Sequence, residues 1–172
     1  MSKIAQKPKP ESVPGVSRKV LTFSLNEETY GVDILRVQEI RGWSTVNRIP
    51  QTPPHVLGVL NLRGSIVPII DMRVRFGLAS AEFTPLTVII VLSIKTAKGL
   101  SEFGLVVDSV SDVVDIRGED VKETPNLGGK MNADFIESLA TVAGRMVILL
   151  DVDALLGRDL AIGTPQALAG AA

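Results

Sequence analysis

The chain has 172 residues, 45% of them hydrophobic and 22% charged, which suits one globular domain or two small units sharing a core. Eighteen basic and 19 acidic residues leave a formal net charge of −1, with no block of like charge long enough for a nucleic-acid or anionic-membrane footprint. The absence of cysteine removes disulfides, thiolate metal ligands and cysteine nucleophiles together.

Residues 1–17 are rich in Pro, Lys and Ser, lack the apolar stretch of a signal peptide, and read as a flexible tail. The folded body runs over 18–162, and the small, weakly apolar residues 163–172 read as a second flexible tail. Only 4% of residues are aromatic, so the core is to be built from Val, Ile and Leu, a mix that favours strands. Val20 to Leu25 alternates, with Leu21, Phe23 and Leu25 on one face, and Asn26 to Glu28 turns it into a second strand over Tyr30 to Ile34. Pro53 and Pro54 before His55-Val56-Leu57 predict a short helix. Further strands are expected at Ser65 to Asp71, Thr87 to Ile94, Phe103 to Val107, Asp112 to Ile116, Thr141 to Ala143 and Arg145 to Asp151. Pro68 places its strand at an edge or a bulge, because proline donates nothing to the ladder. Asn132 to Leu139 reads as a helical turn or two, and Val152 to Leu156 as a terminal one. The longest apolar runs, Val88 to Leu92 and Met146 to Leu150, reach five residues, against about 20 for a membrane-spanning helix. A soluble, cytoplasmic protein with no direct membrane insertion is expected.

The chain echoes itself. Gly31 to Ile40 (GVDILRVQEI) resembles Gly104 to Val113 (GLVVDSVSDV), each placing an acid two residues after a valine. Ile66 to Asp71 (IVPIID) resembles Met146 to Asp151 (MVILLD), preceded by Arg63-Gly64 and Gly144-Arg145 respectively. The offsets are 73 and 80 residues, so the copies differ by an insertion. A duplication implies two small β units, each too small to bury a good core alone, sharing an interface with a groove along its edge.

No catalytic constellation is present. His55 is the only histidine and sits in a proline turn, where general-base work would need a partner. The carboxylates form no calcium loop, and no paired-histidine spacing exists, so no metal or cofactor is expected. Gly128-Gly129-Lys130 lacks the first glycine and the following Ser or Thr of a P-loop, and reads as a turn. Exposed aromatics interleaved with basic residues, as single-stranded nucleic-acid binding wants, are missing too. Recognition of another protein remains: Asp33, Arg36, Glu39, Arg41 and Arg63 lie beside very apolar neighbours, the chemistry of a rigid charged surface beside an apolar strip.

Four segments carry a family resemblance: VLTFSLNEETYGVDILRVQEIRGW, GVLNLRGSIVPIIDMRVRFGL, GLVVDSVSDVVDI and GRMVILLDVDALL. In this order and spacing they resemble the CheW family of bacterial chemotaxis coupling proteins over residues 18–157. The resemblance implies an all-β fold of two intertwined five-stranded SH3-like barrels around a common hydrophobic core, with a few short helices. It also implies a non-enzymatic adaptor that links methyl-accepting chemoreceptors to the histidine kinase CheA in membrane-associated arrays. The partners implied are the CheW-like regulatory domain of CheA and the cytoplasmic tips of the receptors. The alternative is the same adaptor serving surface motility or gene regulation. The family's receptor-binding groove maps onto Val37, Glu39, Gly58, Arg63, Val88, Val110 and Val113, with Val37 and Glu39 expected on one face of a strand. The kinase contact is expected on barrel-end surfaces away from this groove. Ser138 stands at a turn position where the family often has glycine, before the final barrel strands. The N-terminal tail has no counterpart in the shared pattern.

Overall fold

The structure, a computed structural model, describes residues 17–78, 82–97, 99–122 and 135–161. Both tails, apart from Ser17, lie outside these residues, as do Gly128 to Lys130 and Asn132. Eleven strands make two sheets. The first contains β1 (Ser17–Leu25), β2 (Glu28–Asp33), β8 (Ser109–Arg117), β9 (Val121–Lys122), β10 (Ile136–Val142) and β11 (Arg145–Leu150), in the order β8-β1-β2-β11-β10-β9. The second contains β3 (Val37–Gly42), β4 (Val56–Leu62), β5 (Ser65–Asp71), β6 (Val88–Thr96) and β7 (Gly99–Val107), in the order β3-β6-β7-β5-β4.

These two orders are one topology written twice. The β1–β2 hairpin pairs with β8 on one side and β11 on the other; the β6–β7 hairpin pairs with β3 and β5 in the same way. The two parallel contacts match, Leu149 against Gly31 and Ile69 against Gly104. The echo read from sequence is therefore a structural repeat. It is also exchanged: the first hairpin sits in the sheet built by the second half of the chain, and the second hairpin sits in the sheet built by the first.

Each sheet closes on itself. The edges of the second are joined by a bridge from Asn47, after β3, to Val59 on β4, with N···O distances of 2.8 and 3.0 Å. In the first, one 3-10 turn over Gly118–Asp120 carries the chain from edge strand β8 to edge strand β9. The short β9 makes that barrel six-stranded rather than five.

Alternation then divides the apolar residues into three cores. Val67, Ile69, Ile89, Val91 and Val106 fill the inside of one barrel. Val20, Ile116, Ala140, Val147 and Leu149 fill the other. Opposite-facing neighbours, including Leu21, Phe23, Ile70, Ile90, Leu92, Leu105 and Leu150, join one large core between the barrels. Gly31 and Gly104 permit this packing, since a Cβ at either would stand 2.4 Å from Val20 Cγ1 or 2.6 Å from Ile69 Cδ1. Leu149 lies inside its own barrel rather than in the shared core, and Ile66 at the start of IVPIID is exposed.

Several expected elements change. The segment after Pro53-Pro54 is strand β4 and not a helix, because Val56, Leu57, Val59 and Leu60 serve two faces of a closing strand. The described part of the Asn132 to Leu139 segment is largely strand β10, with Phe135 anchored through its carbonyl to the Asp151 N–H. Pro68 is in an interior strand: the parallel ladder to β7 begins only at Ile69, so its missing donor costs no bond there. Ser138 occupies no turn. It is buried at a bulge in β10 that matches the Gly58 bulge in β4, and its hydroxyl has no hydrogen-bond partner among the described residues. The terminal helix is present as α2 (Val152–Ala161), and a short α1 (Met72–Arg75) occupies the equivalent place after β5.

Truncating Leu149, which is fully buried, leaves a cavity inside a small barrel that the surrounding ladder cannot collapse. Leu149→Ala is expected to lower unfolding free energy by about 2–5 kcal/mol in chemical denaturation. The matching experiment on exposed Ile66, Ile66→Ala, is expected to cost under about 1 kcal/mol.

Candidate functional site

The candidate residues fall on the two edge strands that open from the shared core, β3 and β8, and on the neighbours of β3. Val37 begins β3 and packs, half-buried, against the shared core; Val110 does the same near the start of β8. Val88 opens β6 opposite Gly42 and packs on the same core. Val113, opposite Leu21, is exposed at the rim. The chain repeat relates Val110 to Val37 and Val113 to Ile40, and the exposures agree: 46% for Val113 and 44% for Ile40.

Both edge strands bulge at the same point. In β3 the register slips between Val37 and Glu39, and in β8 three steps from Val110 to Val113 oppose two in β1. The β8 bulge is held by buried Thr22, whose hydroxyl donates to the Asp112 carbonyl at 2.8 Å and accepts from its N–H at 3.2 Å. The β3 bulge corrects the expectation that Val37 and Glu39 share a face. Val37 opposes Leu92, which faces the shared core, whereas Glu39 opposes Val91, which faces the barrel interior. Bulges of this kind re-aim side chains beside binding sites.

Glu39 consequently points to the closing seam of its barrel, where it meets Arg63. The Arg63 Nη1 donates to Glu39 Oε1 at 2.7 Å, and Arg41 reaches the other oxygen at 3.5 Å. Arg63 stands in the β4–β5 turn with φ 54°, next to Gly64 with φ 88°, so both central residues adopt the left-handed conformation of a tight hairpin. That turn projects the guanidinium outward, 67% exposed, and its bond to Glu39 raises its pKa above the ordinary value. Gly58 contributes backbone alone: its φ is 149°, and a Cβ would collide with the Asn47 carbonyl at 2.1 Å. It keeps the barrel seam closed beneath Glu39 and Arg63 without itself offering a side chain.

The structure thus links Glu39 with Arg63 directly, and gathers Val37, Val88 and Val110 on the margin of the shared core. Val113 belongs to the rim of the other barrel. Sequence reading missed Ile40, although it stands inside the VQEI segment, because a bulge hides the alternation that would have exposed it. It also missed a buried cluster around Arg73. The Arg73 guanidinium meets Asp71 at 2.9 and 3.1 Å, Asp108 at 3.0 Å and the Glu82 carbonyl at 2.6 Å, and lies over the Phe83 ring, which stacks on Trp43. Burial opposes the charge, but hydrogen bonds to Asp71 and Asp108 overcome it and raise the pKa. The Asp71-x-Arg73 spacing, with Asp71 capping α1 through the Arg73 N–H, was the available signal. Among the described residues no cluster of His, Asp and Glu could hold a metal ion, and no helix is long and apolar enough to cross a membrane.

Two exchanged barrels, with apolar edge-strand rims beside a fixed ion pair, define a double β-barrel interaction module. A family model described as the CheW-like domain matches residues 19–160, and the chain belongs to that family. A chemotaxis protein CheW of Klebsiella aerogenes is 42% identical over 144 residues, covering 84% of each chain. The chemotaxis protein CheW of Rhizobium meliloti is 36% identical over 138 residues, covering 80% of this chain and 86% of the relative. The solved scaffolding protein TtCheW of Thermoanaerobacter tengcongensis matches with a TM-score of 0.72 and 32% identity, over 79% of this chain and 90% of its own.

One acid-sensitive contact follows from the geometry. Burial would raise the pKa of Asp153, but hydrogen bonds from Arg36 and the Lys95 N–H hold it below its ordinary value. A carboxyl depressed on folding adds stability above its unfolded pKa, near 4, and loses it as pH falls through the folded value. Asp153→Asn is expected to be less stable than the parent protein at pH 7. The gap should narrow as pH falls below the ordinary aspartate range, near 4, and close once the folded carboxyl is protonated, measured by denaturant titration across pH.

Proposed function

We propose that this chain, a chemotaxis coupling adaptor, joins the cytoplasmic tips of methyl-accepting receptors to the CheW-like regulatory domain of CheA. It works from the cytoplasm, is recruited to membrane-associated receptor arrays, and catalyses nothing itself. Residues 18–162 form the coupling domain, flanked by residues 1–17 and 163–172. The observation that carries the reading is the pairing of exposed apolar rims, Ile40 and Val113, with the Glu39–Arg63 ion pair on rigid edge elements. Val37, Glu39, Gly58, Arg63, Val88, Val110 and Val113 form or support the receptor contact, and the kinase docks on barrel-end surfaces elsewhere.

A receptor tip is a helical hairpin, and a guanidinium offers it several donors in a planar fork. Arg63 uses one nitrogen on Glu39 and holds the rest in a solvent-facing side chain. Arg63→Glu removes that fork and repels Glu39. It is expected to weaken receptor-fragment binding by about 2 kcal/mol, some twentyfold or more, in calorimetric titration. Affinity for the kinase regulatory domain and the melting temperature should hardly move, since the side chain is exposed. Unchanged receptor affinity would show Arg63 to be ordinary surface charge; equal loss to both partners would point to misfolding.

Removing residues 1–16 is expected to leave receptor control of kinase autophosphorylation intact in a reconstituted assay, because that segment has no apolar pattern with which to dock. Loss of control on this deletion would assign the tail a role in coupling.

A further inference from the structure

Two ion pairs occupy neighbouring places in the chain repeat with their charges exchanged: Arg73 and Asp153 are equivalent, and their partners Asp108 and Arg36 stand one position apart in the repeat. Arg73, on α1 after β5, binds Asp108, the residue before β8 of the other barrel. Asp153, on α2 after β11, binds Arg36, the residue before β3 of the other barrel. Each pair crosses between barrels and ends where an edge strand begins. In the first, Arg73 is buried at 1% exposure, while Asp108 is 36% exposed and also accepts from the Asn26 N–H at 2.7 Å. In the second, both partners are partly exposed, the arginine included, at 25% and 32%.

That second pair stands where the β3 ladder is irregular. In the sheet, β3 is an edge strand with β6 as its ladder neighbour, and its first step, Val37 to Glu39, is the bulge. Immediately before it, Arg36 Nη1 donates to the Ser93 carbonyl at 3.1 Å and to Asp153 Oδ1 at 2.9 Å, while Nη2 donates to Asp153 Oδ2. Asp153 Oδ1 also accepts from the Lys95 N–H at 2.9 Å. One forked contact therefore ties the head of β3 to the end of β6 and to α2, a bidentate geometry that resists rotation as well as separation.

We propose that Arg36 and Asp153 are positioning residues for receptor docking. Their ion pair fixes the bulged head of β3, so that Val37, Glu39 and the Arg63 bound to Glu39 meet the receptor in one arrangement. The inference rests on the reading of that surface as the receptor contact.

The test uses the full chain carrying Arg36→Ala, Arg36→Lys or Arg63→Glu, and the double variant Arg36→Ala with Arg63→Glu. Each is titrated separately with a receptor-tip fragment and with the kinase regulatory domain. Arg36→Ala is expected to weaken receptor binding about tenfold, keep kinase affinity within about twofold, and speed hydrogen exchange at the Val37 to Ile40 amides. Arg36→Lys, which keeps the charge, should recover about half of the loss on a logarithmic scale. The double variant should lose less than the product of its single losses, because Arg36 acts through the surface that carries Arg63. Receptor affinity within twofold of the parent in Arg36→Ala, equal loss to both partners, or fully multiplicative losses would overturn the proposal. Should Arg63→Glu alone leave receptor binding unchanged, the contact surface itself falls and this inference with it. Should Arg63→Glu weaken binding while Arg36→Ala does not, only the positioning role falls.

Discussion

The exchange of hairpins between the two halves of the chain is the constraint on which the rest of the structure depends. Neither half can close a barrel with its own strands: β1 and β2 lie between β8 and β11, and β6 and β7 lie between β3 and β5. The barrel interiors are small, with five or six fully buried apolar residues in each cluster, whereas the core between them is far larger. A unit of that size would bury too little apolar surface to fold alone. The outer faces of both sheets are thus turned inward on each other, and the chain folds as one body. Rigid placement of β3 relative to β8 follows, since both leave the same core.

How much of this was legible depended on whether each strand kept its period. Leu21, Phe23 and Leu25 alternate without interruption, and β5, β6 and β11 carry β-branched runs too short for helices, so they were readable. The strand β4 was not: proline followed by a short apolar run is ambiguous between strand and helix, and what decides it is the Asn47 bridge, a non-local contact. In β3 a bulge breaks the period at Val37, which is why its two key residues were expected on one face and lie on two. The repeat was visible because its landmarks are local necessities. Gly31 and Gly104 are needed where side chains of adjacent strands pack too closely for a Cβ, and Asp71 and Asp151 each start a helix after a buried strand.

The candidate site was legible in its residues and not in its geometry. Glu39 and Arg63 are 24 positions apart, and their 2.7 Å contact exists only because the barrel closes β3 onto the β4–β5 turn. The Arg73 cluster likewise joins Asp71, Glu82 and Asp108 from three connections. Charge pairs of long sequence separation leave no periodic trace, so composition can suggest that charges flank an apolar strip but cannot say which of them meet.

The two inter-barrel ion pairs show why a repeat with exchanged strands can still present unequal faces. Equivalent positions carry Arg73 in one copy and Asp153 in the other, with Asp108 and Arg36 as their opposite-charge partners. A swap of polarity keeps the attraction and so keeps the architecture, but it changes what surrounds each edge strand. Around β8 the arginine is buried beneath Phe83, while its partner Asp108 is 36% exposed. Around β3 the arginine and its aspartate are both partly open, and they stand next to the bulge that aims Val37 and Glu39 apart. Buried ion pairs gain little net stability over apolar packing, but removing one partner is costly, so they favour one geometry over its near alternatives. Of the two edge strands, β3 is therefore the one whose clamping arginine solvent and a binding partner can reach, and it carries Glu39, part of the proposed docking surface.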